Sequence, residues 1–121
     1  MVIQRRRFVF GSGGAMLAIP LLESLAPPGR AVVIHGAGQH TLQLAAVLAA
    51  SPARIVAVAD DDRQRQGQSL WGWPIIAPEN AAKMGATDVV ISSWMHQGAI
   101  WERRGVYESQ RPPLRVHRVY E

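Results

Sequence analysis

Two glycines separated by one residue stand where a phosphate group could bind. Gly36 and Gly38 follow an apolar, strand-like run and precede a helix-like run, which is the context that a G-x-G nucleotide-binding turn requires. The helix N-terminus would add free N–H groups and a positive dipole end. The pattern predicts a phosphate-binding turn that extends through Gln39 and His40. Because Thr41 replaces the third glycine of the tightest dinucleotide-binding turns, a simple strand-to-helix corner is the alternative.

A carboxylate stands at the spacing that ribose recognition requires. Asp60 ends a second apolar run, 22 residues after Gly38. Such a carboxylate, here Asp60 or the adjacent Asp61, accepts hydrogen bonds from ribose hydroxyls in dinucleotide-binding domains. Asp62 extends the acidic run, but consecutive carboxylates at a strand end seldom converge on one ion, so we predict no metal site.

A third polar group follows a later apolar run. Ser92, Ser93 and His96 should face the same crevice as the glycine turn, because ligands of open α/β sheets bind outside the carboxyl ends of the strands. The serines could bind a phosphate or a sugar hydroxyl, and His96 could contact a phosphate or transfer a proton. In the alternative, Ser93 caps a helix and His96 is only exposed. We assign no catalytic residue, and we expect His35 to be a satisfied core side chain.

Strand-like and helix-like runs alternate from residue 29 to the end of the chain. This alternation predicts an α/β fold, a Rossmann-like three-layer sandwich with a mostly parallel sheet of about five strands, in one domain over residues 29–121. A polar loop or one helical turn is expected over 63–72. The predicted strands are 31–35, 54–59, 73–77, 88–92 and 113–120, and the predicted helices are 39–50, 78–84 and 95–109.

The first 28 residues differ from the remainder. Arg5, Arg6 and Arg7 precede a glycine-rich, moderately apolar stretch that ends in small residues, as in an export leader. Arg-Arg-x-Phe followed by an apolar residue resembles the twin-arginine pattern, which implies a periplasmic location. In the alternative, the segment is an amphipathic helix that packs on the domain or on a partner, and the protein is cytoplasmic. Residues 15–22 are too few for a stable membrane span, which needs about 20 apolar residues.

Composition limits the function classes. The 121 residues are 48% hydrophobic and 18% charged, as in a single globular domain. The net charge of +4 includes the three leader arginines, and no stripe of basic and aromatic residues indicates nucleic-acid binding. The absence of cysteine excludes disulfides and thiol catalysis.

Four segments carry a family resemblance: VVIHGAGQHTLQLAAVL, RIVAVADDD, GQSLWGWPIIAPEN and ATDVVISS. Over residues 31 to about 110 the chain resembles the N-terminal sugar-nucleotide-binding domain of bacterial sugar acetyltransferases of the sialic-acid and bacillosamine type. It is also similar to Rossmann-like domains of sugar methyltransferases. The resemblance implies that Gly36, Gly38, Gln39 and His40 cradle a nucleotide diphosphate and that Asp60 or Asp61 lies near the ribose or base. It implies no acetyl transfer, because the hexapeptide repeats of the catalytic domain are missing.

Three functions are compatible with these patterns. The first is a domain that binds a nucleotide or sugar nucleotide, with a UDP-sugar or NAD(P) as ligand and no complete catalytic apparatus. The second is a fragment or subunit of an NAD(P)-dependent oxidoreductase, in which Asp60 favours NAD over NADP and a partner or further domain completes the site. The third is a non-enzymatic assembly domain that forms a homo-oligomer through its last strand, near Val116.

Overall fold

A six-stranded, mostly parallel sheet organises the chain. The computed structural model describes residues 20–36, 45–93 and 96–119. The sheet has the order β3-β4-β2-β1-β5-β6, and only the β3–β4 pair is antiparallel. The parallel strands follow the order of one Rossmann half with its crossovers, which confirms the predicted fold class. The strands are Val32–His35 (β1), Ile55–Ala59 (β2), Ser69–Leu70 (β3), Trp73–Ile76 (β4), Asp88–Ile91 (β5) and Arg115–Arg118 (β6).

Strands β1 and β5 lie in the interior of the sheet and contain the apolar runs 32–34 and 89–91, because both of their faces are covered. All four residues of β1 and all four of β5 are buried. Continuous burial removes the need for alternation, so these strands have uninterrupted β-branched runs. At the edge of the sheet, β6 has one apolar residue, Val116, among basic ones and is only partly buried, as expected for an edge strand.

Helical residues 20–24 and the short helix Ala45–Ala50 (α1) cover the first face of the sheet. Leu22 and Leu25 are 1% and 2% exposed and belong to one core cluster with Leu48 and Val32. The segment just before the first strand is therefore part of the hydrophobic core. None of the helices in the described ranges has both the length and the apolar character that a membrane crossing needs.

Short helical elements cover the second face. They are two 3-10 turns, Pro78–Asn80 and Ala82–Met84, and two helices, Gln97–Glu102 (α2) and Gly105–Glu108 (α3). Tyr107 is fully buried in a second cluster with side chains of β1, β2 and β5. The sheet thus lies between two layers, as a three-layer sandwich requires.

Two predicted elements differ from the structure, and one strand was not predicted. Residues 78–84 form two 3-10 turns in place of the predicted helix, and Gly85 ends the second turn in a left-handed conformation with φ of 80°. The continuous helix predicted over 95–109 is divided at Arg103 and Arg104 into α2 and α3. Strand β3 was not predicted, because two residues in a polar segment give no periodic signal.

A buried ion-pair network closes the amino end of the sheet. The Asp88 carboxylate, which is fully buried, accepts hydrogen bonds of 2.9 and 2.7 Å from Arg30 and of 2.8 Å from His117. The Thr87 hydroxyl donates to it at 2.6 Å. Burial alone would raise the pKa of Asp88, but the hydrogen bonds and the Arg30 charge prevail and lower it to about 2. The network joins the segment before β1 to β5 and β6.

A tight hairpin joins β3 to β4. Its two central residues, Trp71 and Gly72, have φ of 53° and 86°, which is the signature of a type I′ turn. Glycine adopts this conformation without strain, whereas a bulky aromatic residue rarely does. Trp71 is 57% exposed, while Trp73 packs against the first core cluster. Of the two tryptophans of this hairpin, only Trp73 therefore packs on the sheet.

Candidate nucleotide-binding site

The carboxyl ends of the three adjacent strands β2, β1 and β5 form one edge, at which Gly36, Asp60 and Ser92 lie. Gly36 follows β1 with φ of 118°, a conformation that favours glycine, and its N–H donates to the Ala59 carbonyl at 2.7 Å. On the other side, the Ser92 N–H donates to the His35 carbonyl at 3.2 Å. Gly36 therefore lies between the end of β2 and the end of β5.

This edge includes the topological switch point of the sheet. The chain leaves β1 toward α1 on the first face and leaves β5 toward α2 on the second face. Ligands of open α/β sheets bind in the crevice that such a divergence creates. Gly38, Gln39 and His40 lie outside the described residues, so their predicted contacts with a diphosphate stay predictions.

The two serines that follow β5 both form hydrogen bonds to backbone groups. Ser92 is 1% exposed, and its hydroxyl donates to the His35 carbonyl at 3.3 Å. The Ser93 hydroxyl accepts the His96 N–H at 3.3 Å, and His96 is exposed just before α2. His96 itself is the N-cap residue of α2 and no side chain caps this helix, so the predicted ligand contacts of Ser93 and His96 stay predictions.

Asp60 stabilises the loop that it begins. One carboxylate oxygen accepts the Asp62 N–H at 2.7 Å, and the other accepts a hydrogen bond from Arg65 at 3.2 Å. Arg65 also lies 3.8 Å from the Asp62 carboxylate. The acidic run is therefore partly neutralised within its own loop. Across the described residues, no group of three or more histidine and acidic side chains is arranged as metal ligands.

Asp61 turns away from that loop toward the second face of the sheet. Its Oδ2 atom lies 3.3 Å from His35 Nε2 and accepts a hydrogen bond of 3.1 Å from Arg103 on the opposite wall. The Asp61 side chain is 50% exposed, whereas that of His35 is 4% exposed. On its other side, His35 Nδ1 is hydrogen-bonded to the Tyr107 hydroxyl, and the two rings meet edge to face at 5.7 Å.

These side chains line a cavity of about 210 Å³ beside the ends of β1, β2 and β4. Apolar and acidic residues share its walls. The lining residues are His35, Asp61, Pro78, Glu79, Ile100, Arg103, Val106 and Tyr107.

Burial determines the protonation states of His35 and Tyr107. It lowers the pKa of His35, although the charge and hydrogen bond of Asp61 act in the opposite direction, so the imidazole is neutral at neutral pH. Burial, reinforced by the charge of Asp61, raises the pKa of Tyr107. The Tyr107 hydroxyl therefore keeps its proton and donates it to Nδ1, and His35 Nε2–H donates to Asp61.

His35 is satisfied, as expected of a core side chain, but the sequence did not predict its place in a cavity wall. Tyr107 and Arg103 were not predicted as site residues at all. Tyr107 is 72 residues from its histidine partner, and no local pattern records such a contact. The one available signal was the histidine itself, because a buried imidazole at a strand end requires polar partners.

Comparison with solved structures supports the fold. No protein-family model matches the chain, and no curated protein is similar to it. The chain is similar to UDP-D-quinovosamine 4-dehydrogenase from Vibrio fischeri, with 25% identity and a TM-score of 0.53 over 72% of this chain and 75% of that one. It also resembles RSP, solved in complex with β-NADH, with 12% identity and a TM-score of 0.50 over 75% of this chain and 53% of that one. The second likeness concerns the fold alone, and this chain spans about half the length of that protein.

Proposed function

We propose that the chain is a Rossmann-like domain that binds a nucleotide or sugar nucleotide across the carboxyl edge of its sheet. The observation that carries the proposal is the left-handed turn at Gly36, directly after β1 and at the switch point between β1 and β5. The phosphates would lie at the turn formed by Gly36, Gly38, Gln39 and His40. Ser92, Ser93 and His96, which follow β5, would border that position.

A UDP-sugar is the ligand that two independent likenesses support. The sequence motifs resemble the sugar-nucleotide-binding domains of sugar acetyltransferases, and the similar structure at 25% identity is that of a dehydrogenase of UDP-D-quinovosamine. The acetyltransferase likeness bears on the ligand and not on acetyl transfer. The ribose would lie toward Asp60 and Asp61, beyond the end of β2.

A titration tests this proposal. The full chain is titrated calorimetrically with UDP-glucose, NADH and NADPH up to millimolar concentration, and binding of at least one of them is expected. Gly38→Trp should abolish that binding while the protein stays folded, because a large side chain would occupy the phosphate position. Gly98→Ala is the matched control, since a Cβ atom at Gly98 meets no neighbour within 4 Å. Absence of binding by the unmodified chain contradicts the proposal.

The second candidate is a subunit of an NAD(P)-dependent oxidoreductase. It is favoured by the likeness to a sugar-nucleotide dehydrogenase. In this case NADH binds and a partner protein or further domain supplies the substrate site. Saturable quenching or enhancement of NADH fluorescence, with no response to UDP-glucose, would favour this candidate over the first.

For localisation, the twin-arginine pattern supports export of the protein. The packing of the N-terminal segment in the hydrophobic core indicates that this segment is not removed after export. Arg5, Arg6 and Arg7 match the twin-arginine pattern, but Leu22 and Leu25 are buried in the domain. We therefore propose a periplasmic protein that keeps its N-terminal segment. Intact mass of the periplasmic and cytoplasmic fractions tests this. A periplasmic protein that lacks the first 26 residues contradicts retention, and a purely cytoplasmic one contradicts export.

A further inference from the structure

Strand β6 has an open outer edge in the part of the chain that the structure describes. The sheet ends at β6, and β5 is its neighbour on the inner side. The Arg115 N–H donates to the Thr87 carbonyl at 3.0 Å, and the Val119 N–H donates to the end of β5 at 3.3 Å. Because every second residue of a parallel strand bonds to one neighbour, the backbone N–H and C=O groups of Val116 and Arg118 face away from β5. These four groups can bond to a further strand.

Two arginines without a carboxylate partner flank this edge. Arg115 and Arg118 are exposed, and no carboxylate of the described residues lies within ion-pair distance of either guanidinium. By contrast, the guanidiniums of Arg30, Arg65 and Arg103 each bond to an aspartate. Side chains alternate along a strand, so Arg115 and Arg118 lie on opposite faces of the sheet. The edge therefore carries an unpaired positive charge on each face.

The Trp101 ring holds one of these guanidiniums in place. The guanidinium carbon of Arg118 lies 4.3 Å from the centroid of the indole ring, and that of Arg104 lies at the same distance from it. Arg104 also lies 3.5 Å from the Glu108 carboxylate. Stacking restricts a guanidinium without occupying its N–H donors, so less conformational entropy is lost when it binds a carboxylate. Arg118 is therefore ordered for an anionic partner that the described residues do not supply.

A second copy of the chain would fit this edge poorly. Two β6 strands side by side would place Arg115 and Arg118 of both copies along one seam, without a carboxylate between them. Like charges on neighbouring strands destabilise a sheet, and charged side chains on an edge strand discourage self-association. An extended segment with carboxylates on both faces would instead form ion pairs in addition to backbone hydrogen bonds. The charges of this edge thus favour an acidic partner over a homo-oligomer.

We propose that the outer edge of β6 binds an extended acidic segment of a partner protein as a further strand of the sheet. Carboxylates of that segment, spaced like Arg115 and Arg118, contact these two arginines on the two faces. The backbone of the segment bonds to that of Val116 and Arg118, as in other cases of β-strand addition. Trp101 is a positioning residue for Arg118. This lateral edge is separate from the carboxyl edge of the sheet, so partner binding here does not depend on nucleotide binding.

A labelled peptide tests the role of charge. The probe is a short fluorescent peptide of valine and threonine with two glutamates spaced like Arg115 and Arg118, and its matched control has glutamine at both places. Fluorescence anisotropy with the full chain should show binding of the acidic peptide and about tenfold weaker binding of the glutamine peptide, as for loss of two exposed ion pairs. Equal affinities of the two peptides, or no binding of the acidic peptide at millimolar concentration, contradict the proposal.

Substitutions locate the binding surface. Arg115→Ala and Arg118→Ala should each weaken binding of the acidic peptide about threefold, because each removes one ion pair. Arg54→Ala is the matched control, since it removes the same charge from an exposed residue just before β2 and should leave the affinity unchanged. A loss in Arg54→Ala as large as that in Arg118→Ala would show that the net charge of the protein, and not this edge, attracts the peptide.

Two N-methylated forms of the acidic peptide distinguish strand addition from ionic attraction alone. One form is methylated at the odd-numbered amides and the other at the even-numbered amides, and both keep the two glutamates. Only every second amide of an added strand faces β6, so one form should bind like the parent peptide and the other should lose binding. Similar affinities of the two forms, whether retained or lost, would overturn strand addition.

Trp101→Leu tests the positioning role, because leucine fills space but offers no aromatic ring to the guanidinium. This variant should weaken binding of the acidic peptide about threefold and leave binding of the glutamine peptide unchanged. An equal loss for both peptides would indicate that Trp101 acts only through packing. Thermal unfolding of each variant verifies that a loss of affinity does not reflect a loss of fold.

Polyuridylate and a second copy of the chain are the rival occupants of this edge. Binding of polyuridylate that is lost in Arg118→Ala, without binding of the acidic peptide, would identify a nucleic-acid surface. Sedimentation that shows a dimer, again without binding of the acidic peptide, would identify self-association. Either result would exclude an acidic partner strand.

Discussion

Arg30 and Asp88 are 58 residues apart in sequence and form a two-point ion pair, with hydrogen bonds of 2.9 and 2.7 Å. The carboxylate is fully buried, and its pKa is about 2. The pair secures the residues that precede β1 to the amino end of β5. Because a buried carboxylate that loses its partners is costly, this contact should influence how stability depends on pH.

Acid should abolish the stabilisation of the folded state that the ionised Asp88 carboxylate provides. The folded pKa of Asp88 is below its unfolded value, so the stabilisation is complete above about pH 4 and is lost as the pH falls toward 2. The difference amounts to about 2 kcal/mol. Urea denaturation between pH 2 and 7 should show this loss in the unmodified chain and a flatter profile in Asp88→Asn. Asp62→Asn is the control, and identical profiles for all three proteins would refute the prediction.

The leucines of the N-terminal helical segment should behave as core residues. Leu22→Ala removes a side chain that is 1% exposed, and a fully buried leucine costs about 3 kcal/mol when it is truncated. The adjacent Leu21 is only partly buried, so Leu21→Ala is the matched control and should cost less. A chain that starts at residue 27 lacks both Leu22 and Leu25 and should unfold at a lower urea concentration. Equal stability of that chain would show that the segment is dispensable.

The hairpin between β3 and β4 should be improved by a simple substitution. Trp71 has φ of 53°, and asparagine followed by glycine is the preferred pair in this turn type. Trp71→Asn should therefore stabilise the protein by about 0.5–1 kcal/mol. Gly72→Ala, at φ of 86°, should destabilise it by a similar amount. Urea midpoints measure both, and a destabilised Trp71→Asn would indicate that the tryptophan makes a compensating contact.

Arg65 should influence the choice between dinucleotides if NAD(P) binds. It lies 3.2 Å from Asp60 and 3.8 Å from Asp62, so it offsets the negative charge that would repel a 2′-phosphate. Arg65→Ala should weaken NADPH binding relative to NADH about fourfold, which is the Coulomb effect of one charge at about 5 Å in water. Fluorescence titration with both cofactors measures the ratio. Arg63→Ala is the control, and an unchanged ratio in Arg65→Ala contradicts this role.

The strands were predictable because burial determines their composition. The predicted segment 31–35 differs from β1 by one residue, and 88–92 differs from β5 by one residue. Uninterrupted β-branched runs have few alternatives to a strand that is covered on both faces. Helix boundaries were less predictable. Gly98 and Gly105 weaken the segment 95–109, but the division at Arg103 and Arg104 depends on packing against the sheet.

The site was predictable only where it is local in sequence. Gly36 and Ser92 each follow a strand, so parallel strand order was sufficient to predict that they share an edge. The contact of His35 with Tyr107 depends on the crossover after β5, and the turn of Asp61 away from Asp60 depends on the loop hydrogen bonds. Neither feature can be predicted from the spacing of residues in the sequence, because tertiary contacts determine the direction of a side chain that follows a strand.

The position of β1 in the middle of the sheet has a consequence during synthesis. β1 is made first among the strands and pairs with β2 soon afterwards, but its other neighbour, β5, follows only after residue 87. Until then a strand with three consecutive β-branched residues keeps one unpaired edge, which is the kind of surface that promotes aggregation. During synthesis the nascent chain is therefore prone to aggregation between the completion of β1 and the completion of β5. Binding by a chaperone should be strongest while β5 is still absent.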